Sequence, residues 1–347
     1  MRRVAVVSSS PPFVEGGHLV IARALVAALR EAGHGADLVL TPQNRFGRQA
    51  SAYLANWLTD VGRTADDRPV DQIISLRFPS YAVRHPVHVC WLNHTMREYY
   101  DLWDRFEASL TPTQRVKERL RRAAIHAADR YLLTQNVTRL FVQSETIRGR
   151  FAAWPELKAE VLHPPAPPRP YRCEAHEPYL FAVSRFAPLK RMRLVVDALA
   201  DPAAAGIRAV LAGEGEELEE LQRLVRERGL DDRVELPGRI GEPALLDHLA
   251  RCRAVVFPPF SEDYGFVTVE AFASARPVIT CRDSGGPAEL VVDGVSGLVV
   301  APEAGPLAAA FRALIDDRAL AERLGAAGAE TARRLTWPET VRRLLVV

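Results

Sequence analysis

Two glutamates, Glu262 and Glu270, flank seven residues of a nearly apolar run in SEDYGFVTVE, residues 261–270. A carboxylate in an apolar setting is costly unless it faces water or holds something polar. If a helix begins at Gly265, Glu270 lies about 7.5 Å along its axis and Glu262 stays in the loop before its N-terminus. That separation suits a ligand with a hydroxyl-rich group at each end and a diphosphate between, the phosphates lying near the positive helix end. Ribose hydroxyls would satisfy Glu270, the only charge in a helix otherwise made of apolar and small residues. On spacing alone both acids are equally well read as surface residues, Glu262 favouring the helix dipole and Glu270 filling one polar position.

Other loops carry matching signals. After YLFAVS come Arg185 and, five positions on, Lys190; after IRAVLA come Gly213, Glu214 and Gly215; after PVITC comes DSGGPAE with Ser284, Gly285 and Gly286. Two cations, glycines that admit a close backbone approach, and free N–H groups at helix starts together describe a phosphate or diphosphate site. Each signal alone is ordinarily a turn or a solvated surface. Their coincidence at one edge of one sheet is what points to a site.

The elements that would position these residues alternate along the chain. RRVAVVSS, PPFVEGG, HLVIARALVAALREAG and ADLVL read as strand, glycine loop, helix and strand. Leu19, Ala22, Leu25, Val26 and Leu29 recur at three- and four-residue steps, and Gly33 or Gly35 supplies the stop. Further strands are expected at QIISL, VHVCWL and RLFVQS, with a long basic helix over residues 114–133. Residues 41–69 are unassigned apart from a helix near residues 51–61. HPPAPPRP, residues 163–170, holds five prolines in eight positions and can neither continue a helix nor enter a central strand. After it strands and helices alternate again up to PVITC. The expected architecture is α/β: two doubly wound Rossmann-like domains facing a cleft, residues 1–163 and 178–335, joined by a linker over 164–177 and followed by a segment, 336–347. Ligands are expected at the carboxyl ends of the strands.

Composition agrees. With 347 residues the chain exceeds one ordinary core and suits two domains of roughly 150 to 180 residues. A hydrophobic share of 48%, a charged share of 25% and a formal charge of +2 describe a soluble globular protein and exclude a strongly nucleic-acid-directed one. Cys90, Cys173, Cys252 and Cys281 have neither metal-ligand nor thioredoxin spacing, and Cys90 and Cys281 read as buried inert thiols, as expected in a reducing cytoplasm. MRRVAVVSSSPP turns to proline too soon for a secretory signal, and no apolar run approaches the ~20 residues of a membrane span.

The pattern from Arg185 to Lys190, through GEG at 213–215, PGRI at 237–240, the glutamate pair with GFVTV between, SGGPAE and VDGVSGLVV, resembles the retaining glycosyltransferases of family four, which have the GT-B fold. The resemblance covers the second domain nearly end to end and reaches the first more loosely, through PPFVEGG and WLNH. It implies a second domain that holds a nucleoside-diphosphate sugar (UDP- or GDP-), a first domain that holds a glycan, lipid-linked or small-molecule acceptor, and transfer with retained anomeric configuration. Carried over, Glu270 would bind the ribose diol, Arg185 and Lys190 the diphosphate, and Glu262 the donor sugar. Gly213, Asp263, Gly265, Phe266 and Val267 would line the substrate, and Arg239 and Ile240 would face the nucleobase. Arg and Lys would neutralise the departing diphosphate, so no metal or other cofactor is expected.

Two features of the first domain follow from the same resemblance. Gly16 and Gly17, in the loop after the first strand, would admit the diphosphate or donor sugar; a tight turn into the helix explains them as well. His94, at the end of VHVCWLN, would reach the donor sugar; a satisfied structural histidine is the competing reading. The family often has a glycine after the lysine, where this chain has Arg191, and it commonly ends in a helix crossing back to the first domain, the role expected of TWPETVRRLLVV.

Two alternatives stand beside the transferase. One is a sugar-nucleotide 2-epimerase of similar fold. The other is a scaffold at the inner face of the membrane, with Arg115, Lys117, Arg119, Arg121 and Arg122 resting on anionic lipid, although such a run is also what a solvated helix face looks like. The acceptor side would be built from residues 41–104, including the aromatic cluster REYYDLWDRF.

Overall fold

The structure, a computed structural model, describes residues 1–13, 16–43 and 46–346. Val14 and Glu15 of the PPFVEGG loop, Asn44 and Arg45 of the unassigned 41–69 stretch, and Val347 at the end of TWPETVRRLLVV lie outside the described residues. The chain divides into two compact units, one of Met1–Pro164 with Thr336–Val347 and one of Pro165–Leu335. Residues 165–177, expected as a linker, are therefore part of the second unit. No described helix is long and apolar enough to cross a membrane.

The first unit contains β1 (Arg3–Ser10), α1 (Gly17–Glu31), β2 (Gly35–Pro42), α2 (Gln49–Leu58), β3 (Gln72–Ser75), β4 (His88–Leu92), α3 (Trp103–Ala108), α4 (Pro112–Gln135), β5 (Arg139–Val142), α5 (Glu145–Gly149) and β6 (Ala159–Val161). Its sheet is parallel throughout, in the order β2-β1-β3-β4-β5-β6. Chain direction across the sheet reverses between β1 and β3, which opens a crevice at their carboxyl ends. The predicted apolar face of α1 is buried, with Leu19, Ala22, Leu25, Val26 and Leu29 all inside. The chain leaves the helix through Gly33 at φ 84°, a left-handed conformation that glycine adopts without strain. Helix α4 is longer than its basic pattern predicts because Thr111 caps it reciprocally with Gln114 and Pro112 occupies its first turn.

Asp129, on α4, is 1% exposed and accepts three phenolic hydrogen bonds. Tyr53 donates from α2, Tyr81 donates at 2.5 Å, and Tyr100 donates to the other carboxylate oxygen at 2.5 Å. One buried acid thus ties four stretches of chain together. Burial pushes its carboxyl up to about 6, while the three phenols pull the other way.

The second unit contains β7 (Tyr179–Val183), α6 (Met192–Ala200), β8 (Arg208–Ala212), α7 (Leu218–Glu227), β9 (Val234–Gly238), α8 (Glu242–Arg251), β10 (Ala254–Val256), α9 (Phe266–Ala273), β11 (Val278–Cys281), α10 (Gly286–Leu290), β12 (Gly297–Val300), α11 (Ala304–Asp316) and α12 (Arg318–Arg334). This sheet is also parallel, in the order β12-β11-β10-β7-β8-β9. The reversal falls between β7 and β10. Its core includes Phe186, Met192, Leu199, Leu221, Phe311 and Leu324, all essentially buried, each contributing on the order of 1.5 to 3 kcal/mol by leaving water. Helix α12 seats α9 closely: a Cβ at Gly328 would stand 2.4 Å from the Phe272 ring.

The last helix, α13 (Trp337–Leu344), belongs to the first unit. Gln72 donates to the Leu344 carbonyl at 2.7 Å and accepts from the Val346 N–H at 3.0 Å, and Trp337 meets Trp91 edge-on.

Candidate functional site

The second unit gathers the predicted residues at its reversal point. Arg185 and Lys190 follow β7, Glu262 follows the adjacent strand β10, and Lys190 Nζ lies 2.6 Å from Glu262 Oε2. Lys190, expected on a diphosphate, is therefore paired with the acid expected at the sugar. Both side chains stay partly open, at 20% and 18% exposure. Arg185 is exposed, and its guanidinium has no partner among the described residues.

Arg191 is drawn away from that spot. It adopts φ 53°, the left-handed conformation that explains why glycine suits this position. Its guanidinium takes Asp283 in a fork at 2.8 and 2.7 Å and donates to the carbonyls of Pro258 and Pro259 at 2.7 and 2.5 Å. Arg191 thus fastens the loop carrying Glu262 to the loop carrying Ser284.

Those two loops are also laced backbone to backbone. The Glu262 N–H donates to Ser284 O at 2.9 Å, and the Gly286 N–H returns to Glu262 O at 2.9 Å. The glycines serve this contact. A Cβ at Gly285 would lie 2.5 Å from the Glu262 carbonyl oxygen, and one at Gly286 would lie 2.5 Å from the Tyr264 carbonyl oxygen. Gly213 and Gly215 make a similar close contact. They sit at φ 154° and 152°, and a Cβ on them would fall 1.8 Å from Ser184 O and 2.2 Å from Phe186 O. The close approach expected of a ligand is made there by the chain itself, packing the β8 loop on the β7 loop.

Glu270 sits in α9, whose N-cap is Gly265 at φ 83°, and is 6% exposed. Instead of standing unpaired for a ribose it is already held: Arg169 Nη1 pairs with its Oε1, and Tyr171 Oη donates to the same oxygen at 3.2 Å. Arg169 Nε also lies 2.8 Å from Glu242 Oε2, at the start of α8. Burial pushes the Glu270 carboxyl up to about 7, with Arg169 and Tyr171 opposing and Glu242 adding to the rise. Neither Arg169 nor Tyr171 was marked by any spacing rule; a cation locked between prolines in PPRPY was the available signal.

The remaining residues are less engaged. Arg239 is exposed and makes a 3.5 Å ion pair with Glu214. Ile240, Phe266 and Val267 pack partly buried on the core, and Asp263 is half-buried. In the first unit Gly16 is the N-cap of α1 in extended backbone, and Gly17 is already the first helical residue, not part of the loop. His94 is half-buried and lies two residues beyond the end of β4, not on the strand. Cys90 and Cys281 are in strands, and burial pushes their thiols up to about 12 and about 11. Among the described residues no group of three His, Cys, Asp or Glu is placed to hold a metal ion.

One further concavity belongs to the first unit. A cavity of about 660 Å³ lies between α2 and α4, lined by Tyr53, Leu54, Trp57, Ala124, Ile125 and Tyr131 among others. The cations of α4 are largely spent beside it. Arg119 pairs with Glu107, Arg121 with Glu118, Arg122 donates to Tyr99 O, and Arg115 donates to Glu107 O.

The two parallel six-stranded units are those of the GT-B fold. Sucrose-phosphate synthase from Thermosynechococcus elongatus superposes with a TM-score of 0.77 at 19% identity, over 99% of this chain and 97% of that one. The Anabaena protein HepE, solved in complex with UDP and glucose, gives 0.66 at 16% identity, over 98% and 97%. Residues 169–331, just under half of the chain, match the family model described as glycosyl transferases group 1. Alpha-D-kanosaminyltransferase of Streptomyces kanamyceticus is 32% identical over 150 residues, 42% of this chain and 39% of that protein. The chain spans less than half the length of the curated relatives it matches. Over residues 169–331 the chain is thus similar to the group 1 glycosyl transferases.

Proposed function

We propose that the protein transfers a sugar from a UDP- or GDP-sugar to an acceptor hydroxyl in the cytoplasm, with retention and without a metal. The observation that carries this reading is the Lys190–Glu262 pair at the strand reversal of the second unit, where open parallel sheets take their ligands. When the site is empty, the glutamate neutralises the lysine; when a diphosphate enters, Lys190 and Arg185 turn to it and Glu262 is released toward the sugar hydroxyls. The bond from the anomeric carbon to the diphosphate breaks, the acceptor oxygen bonds to that carbon on the same face, and the acceptor proton passes to the departing phosphate oxygen. The two cations stabilise the charge that develops on the diphosphate. UDP as nucleotide is supported by HepE.

The cavity between α2 and α4 suits an acceptor with an apolar or aromatic part. Anionic lipid is the weaker reading of the neighbouring helix face, since four of its five noted cations are already engaged.

Incubation with UDP-glucose and GDP-mannose, followed by NMR of the products, tests the reading. Release of nucleoside diphosphate with an α-configured sugar product from an α-configured donor is expected. Accumulation of the 2-epimer of a sugar nucleotide without transfer would make the protein an epimerase, and an inverted product would exclude the front-face step.

A further inference from the structure

The proline-rich segment before β7 does more than connect. Pro167, Pro168 and Pro170 surround Arg169 and fix its backbone, and the Tyr171 N–H donates to Arg169 O at 2.8 Å. Arg169 and Tyr171 therefore reach Glu270 from a stiff support, about a hundred positions away in the chain. Both converge on one oxygen, Oε1. The other, Oε2, makes no hydrogen bond among the described residues. The same guanidinium touches Glu242, the first residue of α8, directly after the loop of Arg239 and Ile240.

We infer that Arg169 and Tyr171 are positioning residues for the nucleotide: they hold Glu270 by Oε1, present Oε2 to the ribose hydroxyls, and tie that carboxylate to the loop at the nucleobase. The inference rests on the reading that Glu270 takes the ribose. Its physical basis is burial. A carboxylate in the middle of an apolar helix favours the protonated form, and a protonated carboxyl is a poorer acceptor for a diol. The groups that bear on Glu270 are Arg169, Tyr171 and Glu242, and Arg169 is the only cation among them. Removing it drives the Glu270 carboxyl further up from about 7, so that nucleotide binding near neutral pH falls and returns as the pH rises.

Titration calorimetry with UDP and GDP from pH 6 to 9, on the wild type, Arg169→Gln, Arg169→Lys, Tyr171→Phe and Glu270→Ala, tests this. Arg169→Gln is expected to lower affinity about tenfold or more at pH 7, with the loss shrinking toward pH 9. Arg169→Lys is expected to restore part of it, and Tyr171→Phe, which removes only a hydroxyl, to cost a few-fold. A residue that merely held the fold would lower affinity equally at every pH, and that result would overturn the inference. A gain in affinity would overturn it too, since Arg169 would then be a competitor of the ligand. Binding that Glu270→Ala abolishes but Arg169→Gln leaves unchanged from pH 6 to 9 would leave the nucleotide reading standing and remove this one. Absence of binding in the wild type would remove both.

Discussion

Exchanging Glu262 for glutamine is expected to lower turnover of a nucleoside-diphosphate sugar by about a hundredfold or more, while affinity for the bare nucleoside diphosphate stays within a few-fold. The substitution keeps the size of the side chain and removes its charge. The loop should keep its shape, because its backbone is bonded to Ser284 and Gly286 and Arg191 holds the carbonyls just before it. Lys190 loses the partner that lies 2.6 Å away and becomes available to the diphosphate from the outset, so binding of UDP or GDP has no reason to weaken. A negative charge near a sugar that acquires oxocarbenium character acts mainly in the transition state. Steady-state kinetics combined with calorimetry separate the two quantities. Turnover within a few-fold of wild type would reduce Glu262 to a counter-ion for Lys190.

The second large effect concerns the first unit and stability. Asp129→Ala leaves the hydroxyls of Tyr53, Tyr81 and Tyr100 without their acceptor in a buried setting. An unsatisfied buried donor costs about 1 to 3 kcal/mol, and three together reach several kcal/mol, a large part of the ~5 to 15 kcal/mol by which a domain is stable. Denaturant unfolding should show it as a much lower midpoint. Asp129→Asn keeps an acceptor oxygen and should cost far less. The sign of the pH dependence follows from a native carboxyl raised from 3.8 to about 6. A raised value means the native state holds the proton more tightly, so this group's contribution is full below about pH 4 and is lost as the pH rises through about 6. Wild-type stability should therefore fall over that window by an amount the asparagine variant does not show. Equal curves for the two proteins between pH 4 and 7 would contradict the burial argument.

The α/β alternation was legible because each buried parallel strand is a short apolar run between turn residues, as in YLFAV and PVITC. The α1 face was legible because its three- and four-residue steps are those of a helix stripe. The short edge strands β6 and β12 were missed: AEV has no apolar pattern, and GLVV follows a glycine turn that reads as loop. At the site, the two glutamates and the cations after β7 could be read from spacing, since Arg185, Lys190 and Glu262 lie between a strand and the next helix and Glu270 is the one charge inside the otherwise uncharged helix α9. Their partners could not. The Arg169–Glu270 pair and the Tyr53–Asp129 bond join residues 101 and 76 positions apart, and no local periodicity encodes such a meeting. The glycines show a different limit: a residue that lets backbone approach closely looks the same in sequence whether the visitor is a phosphate or, as at Gly213 and Gly285, the chain's own carbonyl.

The most direct test of a metal-independent nucleotide-sugar site in the second unit is calorimetric titration of UDP, GDP and ADP into the protein in EDTA, with Glu270→Ala alongside. At least one nucleotide should bind, equally well with EDTA or with added Mg²⁺, and should lose about tenfold or more in affinity in Glu270→Ala, the cost of one or two hydrogen bonds to a charged acceptor. Failure of all three to bind, or binding that vanishes in EDTA and returns with Mg²⁺ or Mn²⁺, would contradict it.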